Sequence, residues 1–487
     1  MEVMRDMGEK NENLNPYPEV NVVREEDKIS VSGKLAYSIG FAGKDCFQTI
    51  TNSYLMMFLM MIAGLDGVFI GAMMLGARIW DAINDPILGS IADHTNTKWG
   101  RFRPYLFASV PVAIVFGFLF FVPGFEGTTK MVYYTIIYVL FGMGLTILEV
   151  PYFGLAGAMS FDPTERATVT AWSRIASRVT AIVLPLILSW FLATYGDQNG
   201  YFYTAIVAGA IAILTSIVAF TGVKEKALVN AEPSAKRHTG WGDFWNVLKG
   251  NWALLVVMIA QLFFTFNTIL CDMLNTYYLT YSLGSPAIIT GVGVSLCYVG
   301  AMIGQFFYPY LMKKMESCKV IMLVCVPIYC LLLLACYISG NVSVELYLVM
   351  IIALNLFTGI LQINVINLCF EVCDKLEWKN GVRADATVFA VVSFLMKLAA
   401  GLAATIAGIG LQWAGFEGMG PVRIEVTEQM ANAVAILRFA LPGTLAAVSF
   451  VAVCFYPISK KEIHDIRVEL QKRHDAMDVS SNVGTNK

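Results

Sequence analysis

The sequence predicts an all-α integral membrane protein, with twelve transmembrane helices in two pseudo-symmetric six-helix bundles. Three observations carry this expectation. Hydrophobic residues make up 57% of the 487 residues and charged residues only 14%, against about 25% charged in a soluble domain. The deficit runs along most of the chain, which excludes a soluble domain on one anchor. About twelve stretches approach the roughly 20 apolar residues that a bilayer crossing needs, six on each side of a polar stretch at 223–250. Finally, basic residues gather in alternate connections, as they do on the cytoplasmic side of membrane proteins.

Taken in order, residues 1–32 are polar and acid-rich, without an apolar run behind a basic start. They are read as a cytoplasmic tail with no cleavable signal. The first bundle, 33–222, has segments centred near Ser53, Leu75, Val115, Leu140, Ile182 and Ala210. Residues 223–250 hold Lys, Arg, Pro and Gly and read as a cytoplasmic linker. The second bundle, 251–457, has segments centred near Phe264, Val299, Tyr329, Leu354, Ala403 and Ala446, and 458–487 form a C-terminal tail. Lys98, Arg101 and Arg103 follow the second segment, Lys224 and Lys226 the sixth, Lys313 and Lys314 the eighth, and Lys375 and Lys379 the tenth. The opposite connections carry acids such as Asp66, Glu126 and Asp197. Both termini are therefore expected in the cytoplasm of a multi-pass plasma membrane protein.

The halves echo each other. "GSIADHTNTKWGRFRP" after segment two has a partner in "GQFFYPYLMKKM" after segment eight, and "ERATVTAWSR" resembles "VRADATVFAV". Two six-helix repeats around a midplane site suit a transporter, because the repeats can rock against each other.

Ionisable groups inside a membrane are costly and mark functional sites by default. In "ARIWDAINDPILGSIADH", Asp81 and Asp85 stand four residues apart, on one helix face. Asn84 extends that oxygen-rich face, which suits a hard cation or a proton. The plainer alternative is a salt bridge from Arg78, three residues before Asp81. In segment one, Asp45, Gln48 and Asn52 share a face. Such a stripe fits a polyhydroxylated ligand or, alternatively, hydrogen bonding between helices. Glu149 lies near the end of segment four, with Thr146 a turn earlier. Arg174 and Lys397 are the expected counter-charges, since a buried unpaired charge is untenable. Asp272 in "TILCDMLNTYY" could pair with Lys397 or Arg174, bind ligand, or be structural. Two clusters, "HTNTKWGRFRP" and "CDKLEWKNGVRADA", set topology or latch one conformation through Asp93, Arg101, Arg103, Asp374, Glu377, Lys379 and Arg383.

Other classes find no support. The formal net charge of −2 argues against a nucleic-acid partner. The ten cysteines lack metal-ligand spacing and mostly sit in apolar segments. No phosphate-cradling Gly-rich motif, zinc helix or nucleophile elbow occurs, so an enzyme is not expected and no cofactor is implied.

At "KLAYSIGFAGKD", "ARIWDAINDPILGSIADHTNTKWGRFRPY", "DPTERATVTAWSR" and "VCDKLEWKNGVRADA…SFLMKLAAGL" the chain resembles the melibiose-permease-like glycoside–pentoside–hexuronide:cation symporters of the major facilitator superfamily. The likeness runs over roughly residues 33–460. It implies the major facilitator fold and alternating access, with a cation on helix two raising affinity for a sugar in a central cavity. By matching positions it implies a cation site of Asp81, Asn84, Asp85 and Thr146. It also implies sugar-facing charges at Lys44, Asp45, Glu149, Arg174 and Lys397; Lys44 enters only this way. The chain departs from the melibiose-permease pattern in having Glu149 for aspartate, Phe153 and Gln362 for tryptophans, and amides at Gln48 and Asn52. Specificity is therefore expected to differ, with pentosides, β-glycosides and hexuronides open.

The expectation is a secondary active transporter, working as a monomer in a bacterial inner membrane, that couples downhill Na⁺ or H⁺ movement to sugar uptake. Na⁺ is preferred because neutral oxygens accompany the acids. The rivals are a non-transporting membrane sensor on the same fold and a carrier of amphipathic, lipid-like substrates.

Overall fold

The computed structural model describes residues 28–95, 97–160, 163–225, 251–380, 385–416, 427–466 and 468–470. In chain order the helices are α1 (Val31–Met57), α2 (Gly67–His94), α3 (Ser109–Leu119), α4 (Gly127–Ala158), α5 (Pro163–Tyr195) and α6 (Asp197–Gly222), then α7 (Trp252–Tyr277), α8 (Ala287–Met315), α9 (Cys318–Gly340), α10 (Val344–Asn380), α11 (Asp385–Trp413) and α12 (Glu428–Cys454). Among the described residues, nine of these are long and apolar enough to cross a membrane by length and composition alone. The other three are α1 and α2, which hold the expected charged sites, and α3, which a 3₁₀ turn at Arg103–Ala108 extends. Helices suit this setting because every backbone polar group is satisfied within the segment.

The two halves repeat one packing scheme. In the first, α1 packs on α5 and α6, α2 on α4, and α3 on α4 and α6; in the second, α7 packs on α11 and α12, α8 on α10, and α9 on α10 and α12. The repeat extends to single hydrogen bonds. Both α1 and α7 begin on a side-chain cap, Ser30 accepting from Gly33 N and Asn251 from Leu254 N. Both end in a π-helical turn, Phe58–Ile62 and Tyr278–Ser282. Ala63 N donates to Phe58 O and Leu65 N to Leu59 O; Leu283 N donates to Tyr278 O and Ser285 N to Leu279 O in the same way. Gly64 and Gly284 follow with φ of 71° and 60°, which glycine adopts without penalty.

The halves meet through α2 with α11, α5 with α8, and α1 with α7. Several of the bonds that join them lie toward the ends where α1 and α7 finish, here called the far end. Gln412 Nε2 donates to Asp66 Oδ2 at 2.7 Å, Thr276 Oγ1 to Ser53 O at 2.9 Å, and Ser295 Oγ to Ile182 O at 2.7 Å. At the near end, Lys34–Glu165 and Lys375–Glu462 each lie within one half. Arg174 and Phe153 are exposed although both touch the buried Phe41.

Small residues let the far end close, as they do wherever membrane helices approach tightly. A β-carbon on Gly71 of α2 would stand 2.6 Å from Thr405 Cα of α11. Gly71→Val is therefore expected to pry the far end open. In a cysteine-free background, Ser53→Cys, buried at this junction, should then react faster with an impermeant maleimide applied from the far side. Unchanged labelling would show that this contact does not hold the closure.

Residues 460–466 after α12 are helical, and Ile458, Ile463 and Ile466 pack into the body of the protein. The linker residues 226–250 and the first 27 residues lie outside the described residues.

Candidate functional site

Two charge clusters face each other across the inner faces of α1, α2, α4, α5 and α11. The first is centred on Lys44. This lysine is 1% exposed, yet it sits in the middle of α1 among apolar neighbours. Its Nζ lies 2.6 Å from Asp45 Oδ1 and donates to Glu149 Oε1 of α4 at 3.0 Å. It also stands 4.6 Å from the Phe41 ring centroid. Tyr37 OH donates to Tyr152 O at 2.9 Å, tying the same two helices. Phe153 packs edge-on to Phe41 at 5.7 Å, and the Arg174 guanidinium of α5 hangs over both rings at 5.5 and 5.9 Å. Lys44, Asp45, Glu149, Phe153 and Arg174 are thus brought together, with Phe41 as a shared platform that the sequence reading did not single out.

The second cluster is the acid pair of α2. Asp81 is buried and accepts from Arg78 Nη1 at 3.4 Å, so the plainer pairing foreseen for it does form. Asp85 pairs with Lys397 of α11, on the opposite half. Lys397, expected among the sugar-facing charges, is paired with Asp85 here because α11 packs along α2. Asn84 is buried, and Asn84 Nδ2 and Asp85 Oδ1 have no hydrogen-bond partner among the described residues. Thr146 donates to Gly142 O at 3.2 Å. Gly142 itself borders Asp81: a β-carbon there would lie 3.0 Å from Asp81 Oδ1. Asp81 thus borders α4 at the residue whose carbonyl accepts from Thr146.

Asp272 of α7 pairs with neither Lys397 nor Arg174. The cations whose charge reaches it are Arg438 and Arg178. Sequence reasoning missed both. Arg438 is 2% exposed and donates to Cys271 Sγ at 3.1 Å. A third π-helical turn, Ile436–Ala440, holds it within α12, as such turns often do at functional positions. Its signal was a lone arginine in the apolar run "AILRFAL". Arg178 lies one turn after Arg174 on α5, and its Nη2 donates to Gln362 Oε1 of α10 at 3.4 Å. Gln305 Nε2 of α8 donates to the same oxygen at 3.4 Å. Gln48 is half-buried, and Asn52 lines a small cavity with Arg78 and Met273.

The residues of the expected gate lie in two near-end segments. Arg103 does not cross to the second half. Its Nε donates to Phe220 O at 3.1 Å and its guanidinium lies over the Phe220 ring at 4.8 Å. The backbone N–H groups of Arg101, Phe102 and Arg103 all converge on the Glu225 carboxylate. The physical reason is local: this loop packs beside the end of α6, and one carboxylate satisfies three otherwise unpaired donors. Asp374, Glu377 and Lys379 lie at the near end of α10. The side chains of Asp93 and Arg383 lie outside the described residues.

Among the described residues, no group of three His, Cys, Asp or Glu stands ready to hold a metal.

A profile of the family described as MFS/sugar transport protein matches residues 36–460. The inner membrane symporter YicJ of Escherichia coli (strain K12) is 24% identical, over 91% of this chain and 95% of its own. The isoprimeverose transporter of Lactiplantibacillus pentosus is 23% identical, over 92% and 93%. Among solved structures, a D-xylose-proton symporter superposes with a TM-score of 0.63 at 12% identity, over 88% of this chain and 98% of that one.

Proposed function

Because the chain belongs to the MFS/sugar transport protein family, and so is a multi-pass membrane transporter and not an enzyme, we propose that it couples Na⁺ movement to uptake of a sugar or glycoside. One observation carries the reading. The acid pair of α2 is tied to the opposite half through Asp85–Lys397. A cation arriving at Asp85 must displace the Lys397 ammonium, and so acts on the contact between the two rocking halves. The released ammonium and the ion cannot both neutralise Asp85, which makes ion binding and half-to-half packing one equilibrium. The sugar site is the cluster of Lys44, Asp45, Glu149, Phe153 and Arg174. There, carboxylates accept from sugar hydroxyls and the aromatic ring receives an apolar sugar face. In this reading Gln48, Asn52, Asp272 and Gln362 add polar contacts to the sugar from α1, α7 and α10.

The named relatives support this direction: one is called a symporter and another an isoprimeverose transporter. With the basic loops in the cytoplasm of a bacterial inner membrane, the far end is periplasmic and the structure is the inward-facing state. Asn84 and Thr146 favour Na⁺ over H⁺ as the coupling ion.

The test is uptake into proteoliposomes of a glycoside, pentoside and uronide panel, under an imposed Na⁺ gradient and separately under a pH gradient. Accumulation driven by the Na⁺ gradient alone is expected. Accumulation driven only by the pH gradient would transfer the coupling to H⁺. Tight sugar binding without uptake under either gradient would favour a sensor on the same fold.

A further inference from the structure

Asp45, Glu149, Asp81 and Asp85 are each matched with a base, whereas two bases on α5 have no acid at ion-pair distance among the described residues. Lys44 serves Asp45 and Glu149, Arg78 serves Asp81, and Lys397 serves Asp85. Among the described residues, no carboxylate lies within ion-pair distance of Arg174 or Arg178. Arg174 has only the faces of Phe41 and Phe153. Arg178, half-buried, has one long bond to the amide oxygen of Gln362. Asp272 reaches Arg178 electrostatically, but it is shared with the buried Arg438.

Arg174 and Arg178 are also four residues apart on one helix, so their β-carbons stand about 6 Å apart on one face. Like charges in that register repel. For the half-buried Arg178, a guanidinium without an anion at ion-pair distance is unfavourable as well. A folded protein holds such a pair when something else supplies the negative charge. Guanidinium forks match the two oxygens of a carboxylate in geometry and charge.

We propose that Arg174 and Arg178 form an anion subsite in the substrate cleft, and that the transported polyol is a sugar acid whose carboxylate lies between them. Gln305 and Gln362 hold the Arg178 side of the subsite from the second half. The carboxylate thereby bridges α5 of one half to α8 and α10 of the other. The sugar ring lies toward Phe153 and Asp45. This inference rests on the sugar-transporter reading above and narrows it to an acidic substrate.

The experiment compares the methyl glycosides of glucuronic and galacturonic acid with their uncharged uronate methyl esters, by calorimetric titration of the full-length protein in saturating Na⁺. At least one acid is expected to bind about tenfold tighter than its own ester, the worth of a charge-assisted bond. In Arg178→Gln that preference should collapse to about twofold or less while the ester still binds, and Arg178→Lys should retain part of it. If Arg178→Gln does not fold, Gln362→Leu should lower the acid preference on its own. Equal binding of acid and ester by the unaltered protein overturns the proposal, and so does a preference that survives Arg178→Gln. Inorganic sulfate competing as well as the sugar acid also overturns it. If esters and neutral glycosides bind but acids do not, the sugar reading stands and only the anion subsite fails. If no sugar of either kind binds, both fail.

Discussion

Replacing Asp85 with cysteine is expected to abolish the dependence of sugar affinity on the coupling ion, while ion-free sugar binding survives. The carboxylate of Asp85 has two roles in the reading developed above. It is the ion's main charged ligand, and it is the anchor for Lys397 on the other half. Asp81 cannot take over, because Arg78 already neutralises it and it is buried away from the cleft. Coupling between sites is commonly worth about 1–3 kcal/mol, or roughly 5–150-fold in affinity. Asp85→Cys should bring that factor to one. Titrating the sugar with and without saturating Na⁺ reads it directly, and an unchanged Na⁺ effect would sink the ion-site assignment. The pair is open enough to tolerate the change: its side chains keep 29% and 23% of their exposure, so water can solvate the orphaned lysine. The reverse substitution sharpens the argument. Lys397→Gln removes the internal competitor and should tighten Na⁺ binding, whereas a purely structural lysine would leave ion affinity unchanged.

Much of the fold was legible in the sequence, for a physical reason. A bilayer fixes the length of each crossing and forbids unpaired backbone, so apolar runs report helices almost one for one. Charges inside those runs were equally visible, which is why Asp45, Asp81, Asp85, Glu149 and Arg174 stood out. The pairings were not visible. Lys397 and Asp85 are 312 residues apart, and only the packing of α11 on α2 decides that they meet. Local spacing offered Arg78 to Asp81 and was right, because that contact spans a single turn. The repeat was seen only faintly, through loop echoes. Its clearest expression is the paired π-helical turns, where "FLMMI" and "YLTYS" share geometry with little shared sequence. Backbone geometry of that kind has no side-chain signature to read. The same holds for Arg438, whose position depends on a third such turn.

Lys44→Met is expected to produce the largest combined loss of stability and binding of any single substitution in the cleft. The side chain keeps most of its length and loses its charge, leaving Asp45 and Glu149 without the ammonium that now lies 2.6 and 3.0 Å from them. Breaking a buried ion pair from one side costs roughly 3–5 kcal/mol, mostly because the remaining charge stays desolvated. Here two acids are orphaned, although Glu149 keeps 29% of its side-chain exposure and recovers part of the loss through water. The melting temperature should fall and sugar binding should vanish together, as α1 and α4 move apart under the repulsion. Lys44→Met combined with Glu149→Gln separates the two effects, since one carboxylate is then neutral. The double variant should recover most of the melting temperature. It should not recover sugar affinity, because the proposed sugar site counts Glu149 among the acceptors for the sugar hydroxyls. A melting temperature for Lys44→Met equal to that of the unaltered protein would mean that the ammonium does not hold these acids, and the sugar site would have to be rebuilt around Arg174 alone. Recovery of both properties in the double variant would instead make Lys44 a structural clasp and remove Glu149 from the substrate contacts.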